Sequence, residues 1–243
     1  MINKYYIKKI VEYAKLNKKD KVLEIGTGHG ELTYYIAKEV EKVYTIEKDY
    51  KLIEEAKERL KEFDNIEFIN KDALKVNFSS FDVNKIVSNL PYSISSPITQ
   101  KIIDFMQEKL REGKKVVAVL TYQYEFARRL TAKLGSKEYS RITIFAQSYC
   151  NVKLLKKIPK TAFRPIPKVD SAIVMLKPKE CKYEKEFFKF IKTLFLNKNK
   201  KIINSFPKKE REKIKEKLKD LSEKRVRHLS IEELYKIYKI LKE

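Results

Sequence analysis

The chain contains few residues that could form disulfides or bind zinc. Among its 243 residues there are only two cysteines, Cys150 and Cys181, and their spacing is not that of metal ligands. The sequence therefore argues against both a disulfide framework and a zinc site. We predict no metal ligands and a protein that works in a reducing compartment.

Long apolar stretches are also missing. No run of about 18 consecutive apolar residues, the length of a membrane span, occurs in the chain. The opening segment, MINKYYIKKIVEYAKL, lacks the apolar core of a signal peptide. We therefore expect a cytoplasmic protein that has no membrane partner.

Acidic residues are scarce relative to basic ones. The chain has 33 Asp and Glu against 55 Lys and Arg, a net charge of +22. AT-rich coding would usually enrich Glu along with Lys, so the surplus favours a polyanionic partner, nucleic acid before an anionic membrane. Residues 180–243 carry 20 basic and 11 acidic side chains, and the preceding residues carry 35 and 22. This distribution predicts one broad basic face that extends over both parts.

The hydrophobic pattern divides the chain near residue 180. Before that point, short apolar runs alternate with helical periods, and the predicted strands are KVLEIG, KVYTIE, IEFIN, KIVSN, KKVVAVLTY, RITIFAQSY and SAIVMLKP. Such alternation predicts a mostly parallel sheet covered by helices on both faces. From about Glu184 only helical periods remain. We predict an α/β domain over residues 1–180 and a small helical domain over 181–243, for which we expect RNA binding.

Glycine is rare, and three of the five glycines lie within VLEIGTGHGEL, at Gly26, Gly28 and Gly30. A glycine-rich turn at the carboxyl edge of a parallel sheet lets the backbone approach a ligand closely. Glu47 ends the second predicted strand, 21 positions after Gly26. That spacing suits a carboxylate that binds two ribose hydroxyls. The spacing is G-x-G-x-G rather than the dinucleotide G-x-G-x-x-G, and a purely structural turn is the alternative.

The segment NLPY follows the fourth predicted strand and therefore lies at the same edge. Its chemistry suits methyl transfer to the exocyclic amine of adenine, whose lone pair is delocalised into the ring. Two acceptors aimed at the two N–H bonds would expose that lone pair: the Asn89 side-chain oxygen and the Leu90 or Pro91 carbonyl, held rigid by the proline. Tyr92 would stack on the flipped base. An ordinary Asn-Leu-Pro turn is the alternative.

The G-x-G-x-G turn, with Glu24 before it, resembles the S-adenosyl-L-methionine pocket of Rossmann-like methyltransferases. The resemblance implies that Glu47 holds the ribose, that Asp72 meets the adenine amino group, and that the Ala73 amide lies beside the ring. The implied cofactor-binding residues are Glu24, Gly26, Gly28, Gly30, Glu47, Lys48, Asp72, Ala73 and Asn89. The fold class that follows is α/β, a Rossmann-like S-adenosylmethionine-dependent methyltransferase with a small C-terminal helical domain.

Four longer segments resemble the ribosomal RNA adenine dimethyltransferases: NLPYSISSPI, TYQYEFARRLTAKLGSKEYSRITI, IPKTAFRPIPKVDSAIVML and IKTLFLNKNKKIINSF. The resemblance covers nearly the whole chain. It implies dimethylation of two adjacent adenosines near the 3′ end of small-subunit (16S) rRNA during ribosome biogenesis, by a monomer acting on a pre-30S particle. The implied catalytic residues are Asn89, Leu90, Pro91, Tyr92 and Phe163, with Phe163 as a second stacking wall.

Functions other than methylation of small-subunit rRNA remain open. A DNA adenine methyltransferase would favour Asn-Pro-Pro-Tyr or Asp-Pro-Pro-Tyr, so Leu90 speaks against it. A large-subunit methyltransferase of the erythromycin-resistance type is compatible with the same motifs, and so is a non-catalytic rRNA-binding assembly factor. Members of the family usually begin with a Gly-Gln-x-Phe segment that closes over the cofactor. Met1-Ile2-Asn3 aligns just after it, so we expect the Gln contact and part of this lid to be absent.

Overall fold

A computed structural model describes residues 3–242. The expectation placed on Met1 and Ile2 therefore lies outside the described residues. The strands are β1 (Lys21–Ile25), β2 (Lys42–Glu47), β3 (Ile66–Asn70), β4 (Lys85–Asn89), β5 (Val117–Gln123), β6 (Cys150–Ile158) and β7 (Ser171–Pro178). The helices are α1 (Lys4–Ala14), α2 (Glu31–Ala37), α3 (Tyr50–Arg59), α4 (Ser95–Arg111), α5 (Tyr124–Leu130), α6 (Arg141–Tyr149), α7 (Lys185–Leu194), α8 (Arg211–Leu218) and α9 (Ile231–Lys242).

The strands form one seven-stranded sheet in the order β3-β2-β1-β4-β5-β7-β6. The first five strands in this order pair in parallel, whereas β7 pairs antiparallel with both β5 and β6. The prediction of a mostly parallel sheet is confirmed. Because β1 and β4 are neighbours while β2 and β5 lie on opposite sides of them, the strand order reverses between β1 and β4.

Central strands are buried on both faces, as their apolar runs require. In β1, Val22, Leu23 and Ile25 are at most 1% exposed, and β5 is buried from Ala118 to Tyr122. Helices on each side of the sheet remove both faces of these strands from water, so the side chains do not alternate between apolar and polar. The outer strand β3 has no fully buried residue.

The prediction of a strand at RITIFAQSY is wrong, because these residues form α6. Short apolar runs with β-branched residues do not distinguish a strand from a helix by periodicity. Tertiary packing decides here, since Ile144 is fully buried and belongs to a cluster of helical side chains. The following segment, CNVKLLKKI, forms the unpredicted strand β6, in which a β-bulge between Leu154 and Lys156 disrupts the alternation.

The chain divides into two compact units. Unit 1 comprises residues 1–127 and 150–180, and unit 2 comprises residues 128–149 and 181–243. The expected boundary at residue 180 therefore differs from the observed division in the segment 128–149. That segment belongs to unit 2 because Tyr139 and Ile144 pack with Phe187 and Leu234 in its core.

The regrouping also changes the distribution of charge. Unit 2 contains 25 basic and 11 acidic residues, a net charge of +14, and unit 1 contains 30 and 22, a net charge of +8. Unit 2 has 85 residues and unit 1 has 158. The positive charge is therefore concentrated in unit 2, which differs from the even distribution expected from the sequence. Within residues 3–242, no helix combines the length and apolar character that a membrane crossing needs.

Local hydrogen bonds fix the helices of unit 2. The last helix, α9, begins with a reciprocal cap in which the Ser230 hydroxyl accepts from the Glu233 amide at 3.1 Å. The Glu233 carboxylate in turn accepts from the Ser230 amide at 2.8 Å.

In the basic run NKNKK, Lys198 Nζ donates to the carbonyls of Lys137 and Tyr139 at 2.7 and 3.0 Å. This lysine therefore joins segment 128–149 to the rest of unit 2.

Candidate active site

The carboxyl ends of β1 and β4 meet where the strand order of the sheet reverses, which is the usual place for a ligand in open α/β sheets. Gly26 follows β1 directly and Asn89 is the last residue of β4. A Cβ added to Gly26 would lie 3.2 Å from Pro91 Cδ and 3.8 Å from the Asn89 carbonyl oxygen. The glycine turn and the NLPY segment, predicted separately, are thus in contact.

The backbone of the glycine turn requires glycine for two reasons. Gly26, Gly28 and Gly30 have φ values of +85°, +55° and +80°, a region that side chains disfavour. At Gly30 a Cβ would also lie 2.8 Å from Leu60 Cδ1, closer than packed carbons approach. These three glycines permit the backbone conformation of the turn, which leads directly into α2 at Glu31.

Glu24, in β1 just before the turn, has a fully buried carboxyl group. Its Oε2 accepts from the hydroxyls of Thr33 and Thr45 at 2.6 and 2.7 Å, and the Thr45 hydroxyl lies 2.6 Å from that of Thr27 in the turn. Within residues 3–242, Glu24 Oε1 has no hydrogen-bond partner. Burial raises the pKa of Glu24 to about 8, so the group is largely protonated at neutral pH.

Glu47 ends β2 with both carboxylate oxygens oriented by backbone amides. Its Oε2 accepts from the Gly28 amide at 3.1 Å, and its Oε1 accepts from the amides of Lys48 and Asp49 at 2.9 and 3.1 Å. A carboxylate offers about four lone-pair sites, so three such bonds fix its position and leave acceptor capacity. The Lys48 side chain is exposed beside it.

Asp72 and Ala73 lie just beyond the carboxyl end of β3, the strand next to β2. Asp72 Oδ1 accepts from the Leu74 amide at 2.9 Å. The Leu74 carbonyl accepts from Lys101 Nζ at 2.7 Å, which fixes the turn. Ala73 is buried, with 7% of its surface exposed. The structure thus places the predicted ribose and adenine residues on adjacent strand ends.

Asn89 carries the most unusual polar group at this edge. Its Oδ1 is buried, and among the described residues no donor lies within hydrogen-bond distance of it. A buried acceptor without a partner costs about 1–3 kcal/mol, so native proteins rarely keep one without a function. Thr121, the partner of Asn89 in the β4–β5 register, likewise has a buried Oγ1 that lacks a partner within residues 3–242.

Sequence reasoning missed Thr121. The only signal for it is its position near the end of β5, which becomes informative once the strand register is known. Its hydroxyl can donate as well as accept, so it can complement a ligand that meets Asn89.

The rest of NLPY forms a rigid corner. Leu90 is 1% exposed and packs in the core. Pro91 has φ −60° and ψ 122°, and its carbonyl accepts from the Ile94 amide at 3.3 Å. Tyr92 is half-buried, and its hydroxyl lies 2.5 Å from Ser171 Oγ at the start of β7. Burial raises the pKa of Tyr92, so the phenol remains neutral.

Phe163 lies in the core rather than at an open surface. It is 5% exposed and belongs to a cluster that includes Ile7 and Ile10 of α1 and Val119 of β5. The neighbouring Ala162 carbonyl accepts from the Asn3 amide at 2.6 Å. The predicted stacking wall at Phe163 is therefore almost entirely buried in this conformation.

Comparison with known proteins identifies relatives over the whole chain. The family model described as ribosomal RNA adenine dimethylase matches residues 1–243. A protein of Methanococcus maripaludis strain C7 named "Probable ribosomal RNA small subunit methyltransferase A" is 47% identical over 204 residues, which cover 82% of this chain and 74% of the relative.

Two solved structures are also similar to this chain over nearly its whole length. A dimethyladenosine transferase from Plasmodium falciparum superposes with a TM-score of 0.79 at 31% identity, covering 100% of this chain and 97% of the other. The 23S rRNA methyltransferase ErmE superposes with a TM-score of 0.73 at 25% identity, covering 99% and 98%. The similarity therefore includes both units and not only the sheet.

Proposed function

Because the chain belongs to the ribosomal RNA adenine dimethylase family, we propose that it dimethylates the N6 amines of two adjacent adenosines near the 3′ end of small-subunit rRNA. Enzymes of this family use S-adenosylmethionine. The small subunit is favoured over the large one because identity to the small-subunit relative is 47%, whereas identity to ErmE is 25%.

The observation that carries this proposal is the buried Oδ1 of Asn89 at the strand-order reversal, for which residues 3–242 supply no hydrogen-bond partner. An adenine amine placed there would donate one N–H to this oxygen. The Pro91 carbonyl already accepts from Ile94, so we assign the second N–H to the Leu90 carbonyl. With both N–H bonds engaged, the amine lone pair points away from the ring plane and towards the methyl donor.

Tyr92 is the stacking residue we assign to the target base. Its hydroxyl is anchored to Ser171 at 2.5 Å, so its ring is fixed before the base arrives. Phe163 can serve as the opposite wall only after α1 or its own loop moves, because it is 5% exposed. Asn89 is neutral and a poor proton acceptor, so the amine proton leaves to water after methyl transfer.

The residues at the strand ends fit S-adenosylmethionine. Glu47 retains acceptor capacity for ribose hydroxyls while three amides hold its carboxylate in place. Asp72 offers a carboxylate to the adenine amino group, and the turn at Gly26, Gly28 and Gly30 permits close backbone approach. When bound, the cofactor supplies an activated methyl group on a sulfonium sulfur.

We assign RNA capture mainly to unit 2, whose net charge of +14 on 85 residues exceeds the +8 of the larger unit 1. Lys and Arg contacts to phosphates release counterions and so supply affinity without sequence preference. We propose further that the substrate is the pre-30S particle, that the enzyme works as a monomer, and that it acts in the cytoplasm.

Mass spectrometry of small-subunit RNA incubated with the protein and S-adenosylmethionine tests the proposal. We expect two methyl groups on each of two adjacent adenosines near the 3′ end. Modification of large-subunit RNA instead would favour the erythromycin-resistance type. If the protein binds the cofactor and RNA but transfers no methyl group, it is an assembly factor and the proposal fails.

A further inference from the structure

The second segment of unit 1, residues 150–180, begins with a stretch that has many basic residues and no acidic ones. Residues 150–169 contain six Lys and Arg and no Asp or Glu. The six are Lys153, Lys156, Lys157, Lys160, Arg164 and Lys168. Half of them lie in β6 and the other half lie in the connection to β7, residues 159–170.

This connection lies at the same edge of the sheet as Asn89. In the register of the sheet, Ser171 at the start of β7 pairs with Gln123 at the end of β5 and with Ile158 at the end of β6. Since β5 runs parallel to β4, the connection emerges at the carboxyl edge. The bond of 2.5 Å between Ser171 Oγ and the Tyr92 hydroxyl joins the end of the connection to the NLPY corner.

Asp170 fixes the connection in place. Its carboxylate accepts from Lys157 Nζ at 2.8 Å and from the Lys160 amide at 2.9 Å. Its carbonyl accepts from the Tyr124 amide at 2.8 Å. The Asp170 carboxylate, at the end of the connection, thus bonds to Lys157 and Lys160 at its start. The side chains of Lys160, Arg164 and Lys168 are exposed.

Exposed apolar side chains accompany these charges. Tyr5 of α1 is 51% exposed, and Lys156 Nζ lies 5.5 Å from the centre of its ring. Ile166, between Arg164 and Lys168, is 52% exposed. A single strand of nucleic acid binds where cations contact its phosphates and an exposed aromatic ring, such as that of Tyr5, offers a surface on which a base can stack.

Protection of the sheet edge explains only part of the pattern. Strand β6 is an outer strand, and lysines there discourage pairing with another chain. That reason applies to Lys153, Lys156 and Lys157, but it does not apply to Lys160, Arg164 and Lys168, which lie outside β6 and β7. The charge at Lys160 and Lys168 therefore needs another explanation.

We propose that the β6–β7 connection, with Lys160, Arg164 and Lys168, binds the phosphates of the single-stranded RNA that carries the target adenosine into the site at Asn89. The identity of the RNA rests on the proposed function, whereas the binding of a single strand by the connection does not. A single strand is specified because the target base must be unpaired to enter the site.

The test is the affinity of Lys160→Gln/Lys168→Gln for a short single-stranded RNA with two adjacent adenosines, measured by fluorescence anisotropy over a series of salt concentrations. Two lost phosphate contacts should lower the slope of log Kd against log salt by about 1.4, or about 0.7 per contact. At ~0.1 M salt this corresponds to a loss of affinity on the order of twentyfold. Both lysines are exposed, and the Lys160 amide that bonds Asp170 is retained.

The matched control is Lys19→Gln/Lys115→Gln, which removes two exposed lysines at the amino edge of the sheet. We expect its salt slope to equal that of the wild type. Equal losses in both variants, or an unchanged slope in Lys160→Gln/Lys168→Gln, would overturn the assignment. A blunt RNA duplex that bound as tightly as the single strand, with the same loss, would also overturn it.

Kinetics separate this inference from the proposed function. In methylation of small-subunit RNA, Lys160→Gln/Lys168→Gln should raise KM for RNA and leave kcat at saturating RNA unchanged. If the wild type transfers no methyl group but the variant still loses single-strand affinity, the proposed function fails and RNA binding by the connection stands. If the wild type methylates normally and the variant has unchanged KM and affinity, RNA binding by the connection fails alone.

Discussion

Unit 1 and unit 2 differ in how they use polar residues. Unit 1 contains a seven-stranded sheet whose carboxyl edge holds Glu24, Glu47 and Asn89, each buried or oriented by backbone amides. Unit 2 contains helices around one apolar cluster, and its net charge of +14 exceeds the +8 of the larger unit. Unit 1 thus fixes particular polar groups by burial or by backbone amides, whereas unit 2 carries the larger surplus of positive charge.

We propose that this difference reflects separate roles, with catalysis in unit 1 and most of the RNA capture in unit 2. Transition-state stabilisation needs polar groups that are already oriented in a site of low dielectric, which only a rigid sheet edge provides. Capture of a polyanion needs positive charge in quantity, and its placement matters less. Substitutions at the strand ends that hold Glu47 and Asn89 should therefore affect turnover and cofactor affinity, whereas those in unit 2 should affect stability or RNA affinity. Substitutions in the β6–β7 connection of unit 1 should affect RNA affinity. The following predictions test this comparison.

Asn89→Ala should have the largest effect. Removal of one preorganised polar partner typically lowers turnover by about a hundredfold to a thousandfold. Binding of S-adenosylmethionine and RNA should fall far less than turnover, because Asn89 Oδ1 acts mainly as positive charge builds on the amine. Single-turnover methylation and calorimetry measure the two effects. The control Asn151→Ala, an exposed position on β6, should turn over normally, and a parallel loss of RNA affinity in Asn89→Ala would break the proposed division.

Glu47→Gln should weaken binding of S-adenosylmethionine by about 1.5–3 kcal/mol, since charged hydrogen bonds to the ribose become neutral ones. RNA affinity should not change, because Glu47 lies in unit 1 and we assign most of the RNA affinity to unit 2. Calorimetry with Glu39→Gln, an exposed carboxylate beyond α2, provides the matched comparison. Unchanged cofactor affinity in Glu47→Gln would mean that Glu47 does not hold the ribose.

Glu24 should make unit 1 less stable as pH rises. Its folded pKa of about 8 lies above the ordinary value of 4.5, so the folded state holds the proton that the unfolded state releases. Its contribution is fully present below about pH 4.5 and is lost as pH rises towards 8, with a slope of at most about 1.4 kcal/mol per pH unit. Urea unfolding of wild type and Glu24→Gln across this window measures it, and identical pH dependence in both would refute the prediction.

Ser230→Ala should destabilise unit 2 by about 1 kcal/mol, the usual cost of losing a helix cap. The change removes the acceptor for the Glu233 amide at the start of α9. Chemical denaturation measures the loss, and Ser96→Ala, an exposed position in the first turn of α4, is the control. Cofactor affinity per folded molecule should stay constant, and a drop would show that the two units are not separable in this respect.

The smallest effect is expected at Glu184 in unit 2, where the sign is opposite to that of Glu24. A hydrogen bond from the Tyr235 hydroxyl, assisted by Lys239, lowers the pKa of Glu184 to about 2. Its contribution is therefore present above about pH 4.5 and is lost as pH falls through 2. Acid unfolding of Glu184→Gln should show less dependence on pH between these values than the wild type, and a steeper dependence would contradict the assignment.

Strongly patterned segments could be assigned from the sequence alone. The parallel strands β1, β2, β4 and β5 are short segments rich in Val, Ile and Leu, and the glycine turn and NLPY contain residues that ordinary turns do not need. The segment 141–149 could not be assigned, because RITIFAQSY suits a strand and a helix equally and only packing against unit 2 selects the helix. The burial of Phe163 likewise depends on a core cluster built from segments far from it in sequence, among them Ile7 of α1 and Val119 of β5.

The sequence by itself determined which residues carry chemistry: the three glycines, Glu47, and the Asn-Leu-Pro-Tyr corner are identified by local backbone needs and functional groups. Tertiary structure alone decided which of them meet. The contact between Gly26 and Pro91, the placement of Thr121 next to Asn89, and the regrouping of residues 128–149 with unit 2 all follow from strand order and packing between distant segments. Local patterns specify periodicity, whereas pairing across the sheet depends on burial of the whole core, which no single segment encodes.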